Sequence, residues 1–190
     1  MESQQLRAII ASARAGDEEA YRQLLAAYGR RLYGYFYRAT RSHHEAEDLL
    51  GEVMLRLVRR LGDYQHRGRF ESWLFSIAAN LVRDRIRRAR ARASPMSLES
   101  GGDGDASLGE SLDGGAEPAD RALLAGEASG LLAEALEQLD ERSRHMVLLR
   151  HFGEMSFKEI AEVFQCPVGT VLAKVHRALK SLRAILEREQ

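Results

Sequence analysis

Apolar residues recur along this chain at spacings of three and four, and strict alternation is rare, so the pattern predicts helices separated by short polar breaks. Four are expected over residues 1–92. The first runs from about Gln4 to Ala15. Asp17 then caps a longer helix, reaching about Arg38, whose stripe is Leu24, Leu25, Tyr28, Leu32, Tyr35 and Phe36. Ser42-His43-His44-Glu45 has the form of a capping box and opens a third helix, with Ala46, Leu49, Leu50, Val53, Met54 and Leu57 on one side. A polar loop from Gly62 to Arg69 leads to the fourth, Phe70 to Arg92.

The periodicity stops at residue 93 and resumes near Ala119, where a helix carries Leu131, Leu132, Ala135, Leu136 and Leu139. Asp140 caps the next, with Met146, Val147, Leu148 and Leu149. Ser156-Phe157-Lys158-Glu159 is a second capping box, and Ile160, Ala161, Val163 and Phe164 are the buried side of a short helix. Gln165 and Cys166 break it, and Pro167 opens the last helix at its first position. One side of that helix is Val171, Val175, Ala178, Leu179, Leu182, Ile185 and Leu186; the other carries Thr170, Lys174, His176, Arg177, Lys180 and Arg183. A short helix, a turn and a basic amphipathic helix form a helix-turn-helix suited to a duplex groove. The fold class is therefore all-α. Two small helical domains, residues 1–92 and 120–190, are joined by a flexible acidic linker over 93–119.

Composition alters this picture in one respect. The chain is formally neutral, with 28 Lys and Arg against 28 Asp and Glu. The charges are segregated, however. Residues 1–92 hold 18 basic against 11 acidic side chains, residues 93–127 hold 1 against 8, and residues 128–190 hold 9 of each. The average argues against a nucleic-acid partner, and the distribution argues for one. Gly, Ser and spaced acids dominate the linker, which has too little apolar surface to offset the entropy of ordering. A single cysteine excludes an internal disulfide, and Cys166 reads as a small apolar filler. No apolar run is long enough for membrane insertion and no signal-peptide core opens the chain, so a cytoplasmic protein is expected.

The candidate chemistry is binding rather than catalysis. Six arginines fall within residues 83–92 (Arg83, Arg85, Arg87, Arg88, Arg90 and Arg92), with Asp84 alone nearby to balance them. Such density suits phosphate contact. Trp73 and Phe75, one or two turns upstream, offer stacking surface for unpaired bases, while Phe70, Leu74 and Ile77 read as core. The Gly62–Arg69 loop adds Tyr64, Gln65, His66 and Arg67, groups of the kind that read single strands. Phosphate-binding loops, dinucleotide fingerprints, zincin motifs and nucleophile elbows are all missing from the sequence. His43 and His44 stand beside Glu45, Glu47 and Asp48, but a helix N-terminus already accounts for those acids. No enzyme, no cofactor and no metal is expected.

Ala46-Glu47-Asp48-Leu49-Leu50 through Leu57, then Ser72-Trp73-Leu74-Phe75-Ser76-Ile77-Ala78-Ala79-Asn80 ending in Asp84 and Arg87-Arg88, resemble the second conserved region of extracytoplasmic-function sigma factors. Glu159-Ile160-Ala161, then Cys166-Pro167-Val168-Gly169-Thr170-Val171 and Arg177-Ala178, resemble their fourth region. The resemblance implies a bacterial promoter-specificity subunit. Glu47, Asp48, Glu52 and Arg56 are its implied contacts to the β′ clamp helices of core RNA polymerase, and the β flap is a further implied partner. Tyr64, His66, Trp73, Asn80, Arg83, Asp84, Arg87 and Arg88 are the implied contacts to the minus-ten element, with Asn80 facing an extruded base. Thr170, Lys174, His176, Arg177 and Lys180 are the implied contacts to the minus-thirty-five element, with Arg177 forking a guanine. The linker is expected to thread the polymerase's RNA channel, and family habit adds an anti-sigma factor as partner. Three positions depart from the family pattern: Gly51 replaces a usual Gln, Leu172-Ala173 a usual basic-Ser pair, and Asp140 a usual Pro. The alternative, a stand-alone helix-turn-helix regulator, leaves the Trp73–Arg92 constellation unexplained.

Overall fold

The computed structural model describes residues 3–65, 68–93 and 122–188. Within them lie eight helices: α1 (Ser3–Arg14), α2 (Glu18–Thr40), α3 (His43–Arg60), α4 (Phe70–Ala93), α5 (Ala122–Glu137), α6 (Glu141–Phe152), α7 (Phe157–Phe164) and α8 (Val168–Leu186). The linker expected over 93–119 falls almost entirely outside the described residues, as do His66 and Arg67.

The caps start the helices where side-chain chemistry demands. Asp17 accepts from the Glu19 N–H at 2.9 Å, and Asp140 accepts from the Ser143 N–H at 3.0 Å. At α7 both halves of the capping box form, Ser156 Oγ accepting from the Glu159 N–H while Glu159 accepts from the Ser156 N–H at 2.7 Å. The box expected at Ser42 is only half made. Ser42 Oγ accepts from the Glu45 N–H, but the Glu45 carboxylate turns instead to Arg85 of α4, 3.3 Å away. A full guanidinium charge outcompetes a neutral amide for that carboxylate. Pro167 is the N-cap of α8 rather than its first helical residue, and Gln165 takes the left-handed conformation that ends α7.

α2 packs against α1, α3 and α4, and the four helices bury Leu24, Leu32, Phe36, Leu49, Val53, Leu57, Phe70 and Leu74. α8 packs against α5, α6 and α7 over Met146, Leu149, Ile160, Val171, Val175, Ala178 and Leu182. Leu179, expected on the buried stripe, is instead 51% exposed. Phe75, expected as a stacking surface, is fully buried against Tyr35, with ring centroids 6.0 Å apart.

The two helical units also pack on one another, which their separate stripes did not reveal. α6 lies on α2, and α7 lies on α4. The Phe152 ring sits on Gly34, where an added Cβ would come within 2.8 Å of Cε1, so only glycine admits so close an approach. Arg31 Nε donates to the Phe152 carbonyl at 2.9 Å, and the Arg38 guanidinium lies over the Phe152 ring at 5.3 Å. Arg41 pairs with Glu137, and Arg90 with Glu141 at 2.7 Å.

His145 of α6 is buried at this junction, its ring 6.3 Å from that of Tyr35. Neither His145 Nε2 nor the Tyr35 hydroxyl has a hydrogen-bond partner among the described residues. Burial, reinforced by the Arg144 and Arg83 charges, pushes the imidazole down to about 4. Its folded pKa therefore lies below the unfolded value near 6.5. The unfolded chain takes up the proton first, so stability is complete above about pH 6.5 and is lost as pH falls towards 4. We expect about 3 kcal/mol of this loss to come from His145, since one pKa unit corresponds to about 1.4 kcal/mol. Urea unfolding between pH 7 and 4.5 checks it: His145→Leu should lose distinctly less stability over that range than the parent chain, and parallel curves would assign the loss to other groups.

Candidate polymerase and DNA surfaces

Helix geometry sorts the candidate residues into three surfaces. On α3 the buried stripe is Ala46, Leu49, Val53 and Leu57. At 100° per residue the side opposite it carries Glu47, Asp48, Gly51, Leu55 and Val58, all exposed. Leu55 is 59% and Val58 50% exposed, and nothing lies within 4 Å of where a Gly51 Cβ would stand. This face is thus an apolar patch with an open notch and an acidic border. Glu52 and Arg56, expected as contacts, lie on its flank and pair with each other at 2.7 Å. Asp48 lies 3.8 Å from Arg85 of α4. Leu55 and Val58 do not belong to the core stripe, from which apolar residues are ordinarily assigned. The signal was their position outside that stripe.

On α4 the spacing 73, 76, 80, 84, 87 puts Trp73, Ser76, Asn80, Asp84 and Arg87 on one face. Asn80, Arg83, Arg87 and Arg88 are exposed, and Trp73 is half-buried. Asp84 accepts from Arg87 at 3.1 Å, so the acid orders one arginine rather than standing alone. Arg83 lies within 3.5 Å of Asn80 Oδ1, but its stronger bond crosses to α7. Its Nη1 donates to the Val163 carbonyl at 2.6 Å, and its guanidinium covers the Phe164 ring. Arg69 reaches Glu159 of α7 at 3.6 Å. Burial works against ionisation of Glu159, yet bonds from Ser156 and Ser72 and the nearby Arg69 charge outweigh it and hold the carboxyl below its usual range.

Tyr64 is not presented as a stacking face. It is 6% exposed, with its ring 4.6 Å from Trp73 and 5.4 Å from Phe70, and burial pushes its hydroxyl pKa up. It supports Trp73 from beneath. His66 lies outside the described residues.

On α8, Gly169, Leu172, Ala173, His176, Arg177 and Lys180 are exposed, and Thr170 is half-buried beside them. Arg177 Nε donates to the Ala173 carbonyl at 3.3 Å. Lys174 turns back instead to Asp140, 3.4 Å away. Burial would raise that aspartate, but two bonds from Ser143 and the Lys174 charge outweigh it and lower its pKa.

Residues 24–92 match the family described as sigma-70 region 2, and residues 129–182 match sigma-70 region 4. The RNA polymerase sigma-H factor of Pseudomonas aeruginosa is 31% identical over 172 residues, covering 90% of this chain and 89% of that protein. The chain is an extracytoplasmic-function sigma factor. Another relative, the sigma factor SigW of Bacillus subtilis, is 29% identical over 92% of each protein. The solved structure of CnrH in complex with the cytosolic domain of CnrY aligns at a TM-score of 0.64 and 25% identity, over 97% of this chain and 98% of that one. The protein binds core RNA polymerase and directs promoter recognition and initiation. A stand-alone regulator is excluded, because its helix-turn-helix would not carry region 2. Among the described residues no helix of this sigma factor is long and apolar enough to cross a membrane.

If Tyr64 supports Trp73, Tyr64→Ala should cost about 3 kcal/mol of stability, as expected for emptying a buried aromatic site. Trp73→Ala, at a half-buried position, should cost less and should reduce promoter melting more. Chemical denaturation and permanganate footprinting of open complexes measure the two; the reverse ranking would count against this support.

Proposed function

We propose that this sigma factor engages polymerase through the exposed α3 face, reads and melts the minus-ten element with the Trp73–Arg88 face of α4, and reads the minus-thirty-five element with α8. Its working parts are residues 1–92 and 120–190 on either side of the 93–119 linker. Glu47, Asp48, Leu55 and Val58 make the polymerase contact, with Glu52 and Arg56 at its edge. Asn80 meets an extruded base while Arg83, Arg87 and Arg88 hold phosphates. Arg177 forks a guanine, and Thr170, His176 and Lys180 contact nearby edges or phosphates. Chemistry is left to the polymerase, so the protein is not itself an enzyme, and it works in the cytoplasm. A protein anti-sigma partner is in keeping with the complex in which CnrH was solved.

The observation that carries this reading is exposed Asn80 beside half-buried Trp73 on the α4 face that ends in Arg87, with exposed Arg83 and Arg88 on either side of it. Magnitudes add a condition. Two elements about 25 base pairs apart are separated by roughly 85 Å at ~3.4 Å per pair. With α7 lying on α4, the arrangement described above cannot reach both. Residues 94–121, fully extended at ~3.3 Å each, reach about 90 Å. The two units therefore separate on the polymerase, and Arg83 exchanges the Val163 carbonyl for phosphate.

Transcription by core enzyme and this protein on a randomised promoter library tests the proposal: new, sequence-specific starts are expected, and none would overturn it. Leu55→Glu should weaken core binding at least tenfold in a co-elution titration without unfolding the chain. Arg177→Ala should lose about 1–3 kcal/mol of discrimination at one upstream base pair while retaining core binding.

A further inference from the structure

The exposed side of α8 is apolar along one flank. Val171, Val175, Ala178 and Leu182 fill the core. On the exposed side, Leu172 and Ala173 follow one turn after Gly169, and His176, Arg177 and Lys180 come next. Leu172 is 45% exposed, and nothing stands within 4 Å of where a Gly169 Cβ would be. The first turns of the helix thus present a methyl-rich surface with a shallow notch on one side and cations on the other. The N-terminal residues of a recognition helix are the ones that meet base edges. In the major groove thymine alone presents a methyl group; cytosine has only a C–H at that place, and most of the remaining edge is hydrogen-bond donors and acceptors. A leucine pressed on those polar edges dehydrates them without replacing their bonds, whereas against a methyl it buries apolar surface on both sides.

We propose that Leu172 and Ala173 read thymine 5-methyl groups in the upstream element, so that this sigma factor selects A·T pairs there by apolar contact. The inference rests on α8 being the major-groove helix. Val168 and Leu179 extend the flank of Leu172, and a protein partner is the competing occupant. The bordering His176, Lys180 and Arg183 favour a polyanion.

The test uses holoenzyme reconstituted with the full chain. Its upstream element is selected from random sequence, and each thymine is then replaced singly by deoxyuridine, which lacks only the methyl. One or two replacements should weaken binding about three- to fivefold, the effect of one methyl-sized group. Leu172→Ala, which leaves the core residues of α8 and Ala173 untouched, should bind thymine and deoxyuridine alike at one of those positions. Equal binding of the two bases by the unaltered protein overturns the proposal, as does a selected element without thymine. Weaker association of Leu172→Ala with core enzyme, with the methyl effect intact, overturns it in favour of a protein contact. Absence of any upstream selection removes the major-groove assignment itself, a result distinct from selection that ignores the methyl.

Discussion

A guanidinium can satisfy one set of acceptors at a time, and the architecture turns on how Arg83 is occupied. In the arrangement described, it donates to the Val163 carbonyl and covers the Phe164 ring of the helix-turn-helix. The same side chain stands one turn beyond Asn80, on the most basic stretch of α4. A backbone carbonyl carries only a partial charge, whereas a phosphate carries a full one, so duplex or single-stranded DNA is the stronger competitor. On the function proposed for α4, the side chain that joins the two units is also one that would meet DNA.

The junction combines ion pairs with buried contacts. Most of its ion pairs are solvent-exposed, and such pairs contribute about 0–1 kcal/mol each. Its apolar contribution comes from Phe152, half-buried against Gly34, and from Tyr35 and Phe75, fully buried beside His145 and Gly153. His145 weakens it further from within, because a buried imidazole facing a tyrosine hydroxyl without a bond returns little for its desolvation.

Much of the fold could be read directly from the chain, because its determinants are local. Asp17, Ser42, Asp140 and Ser156 announce helix starts through side-chain oxygens that reach N–H groups two or three residues on. The core stripes follow from a period of 3.6. What could not be read depends on distant partners. Arg31 meets the Phe152 carbonyl across 121 residues, and Arg83 meets Val163 across 80. A backbone acceptor leaves no trace in residue identity, so neither bond has a sequence signature. Glu45 abandoned its cap for Arg85 and Lys174 turned to Asp140, each drawn by an opposite charge from another helix. Tyr64 looked accessible because its neighbours are polar, yet two aromatic rings bury it.

The outward faces of α3 and α8 share a design. Each exposes a few apolar side chains among charges, Leu55 and Val58 opposite the buried stripe of α3 and Leu172 on the flank of that of α8. Charged borders act at a distance, steering encounter and weakening with salt, whereas apolar centres act only in contact and depend little on ionic strength. The border is acidic at the start of α3, with Glu47 and Asp48, and basic on α8, so the partners proposed for the two faces differ in sign. Both faces also have open space at a glycine, Gly51 beside Leu55 and Gly169 beside Leu172, which the proposed roles would fill with a protein helix and a base edge. An exposed leucine costs the free protein little, and its value is realised only against a surface that matches it.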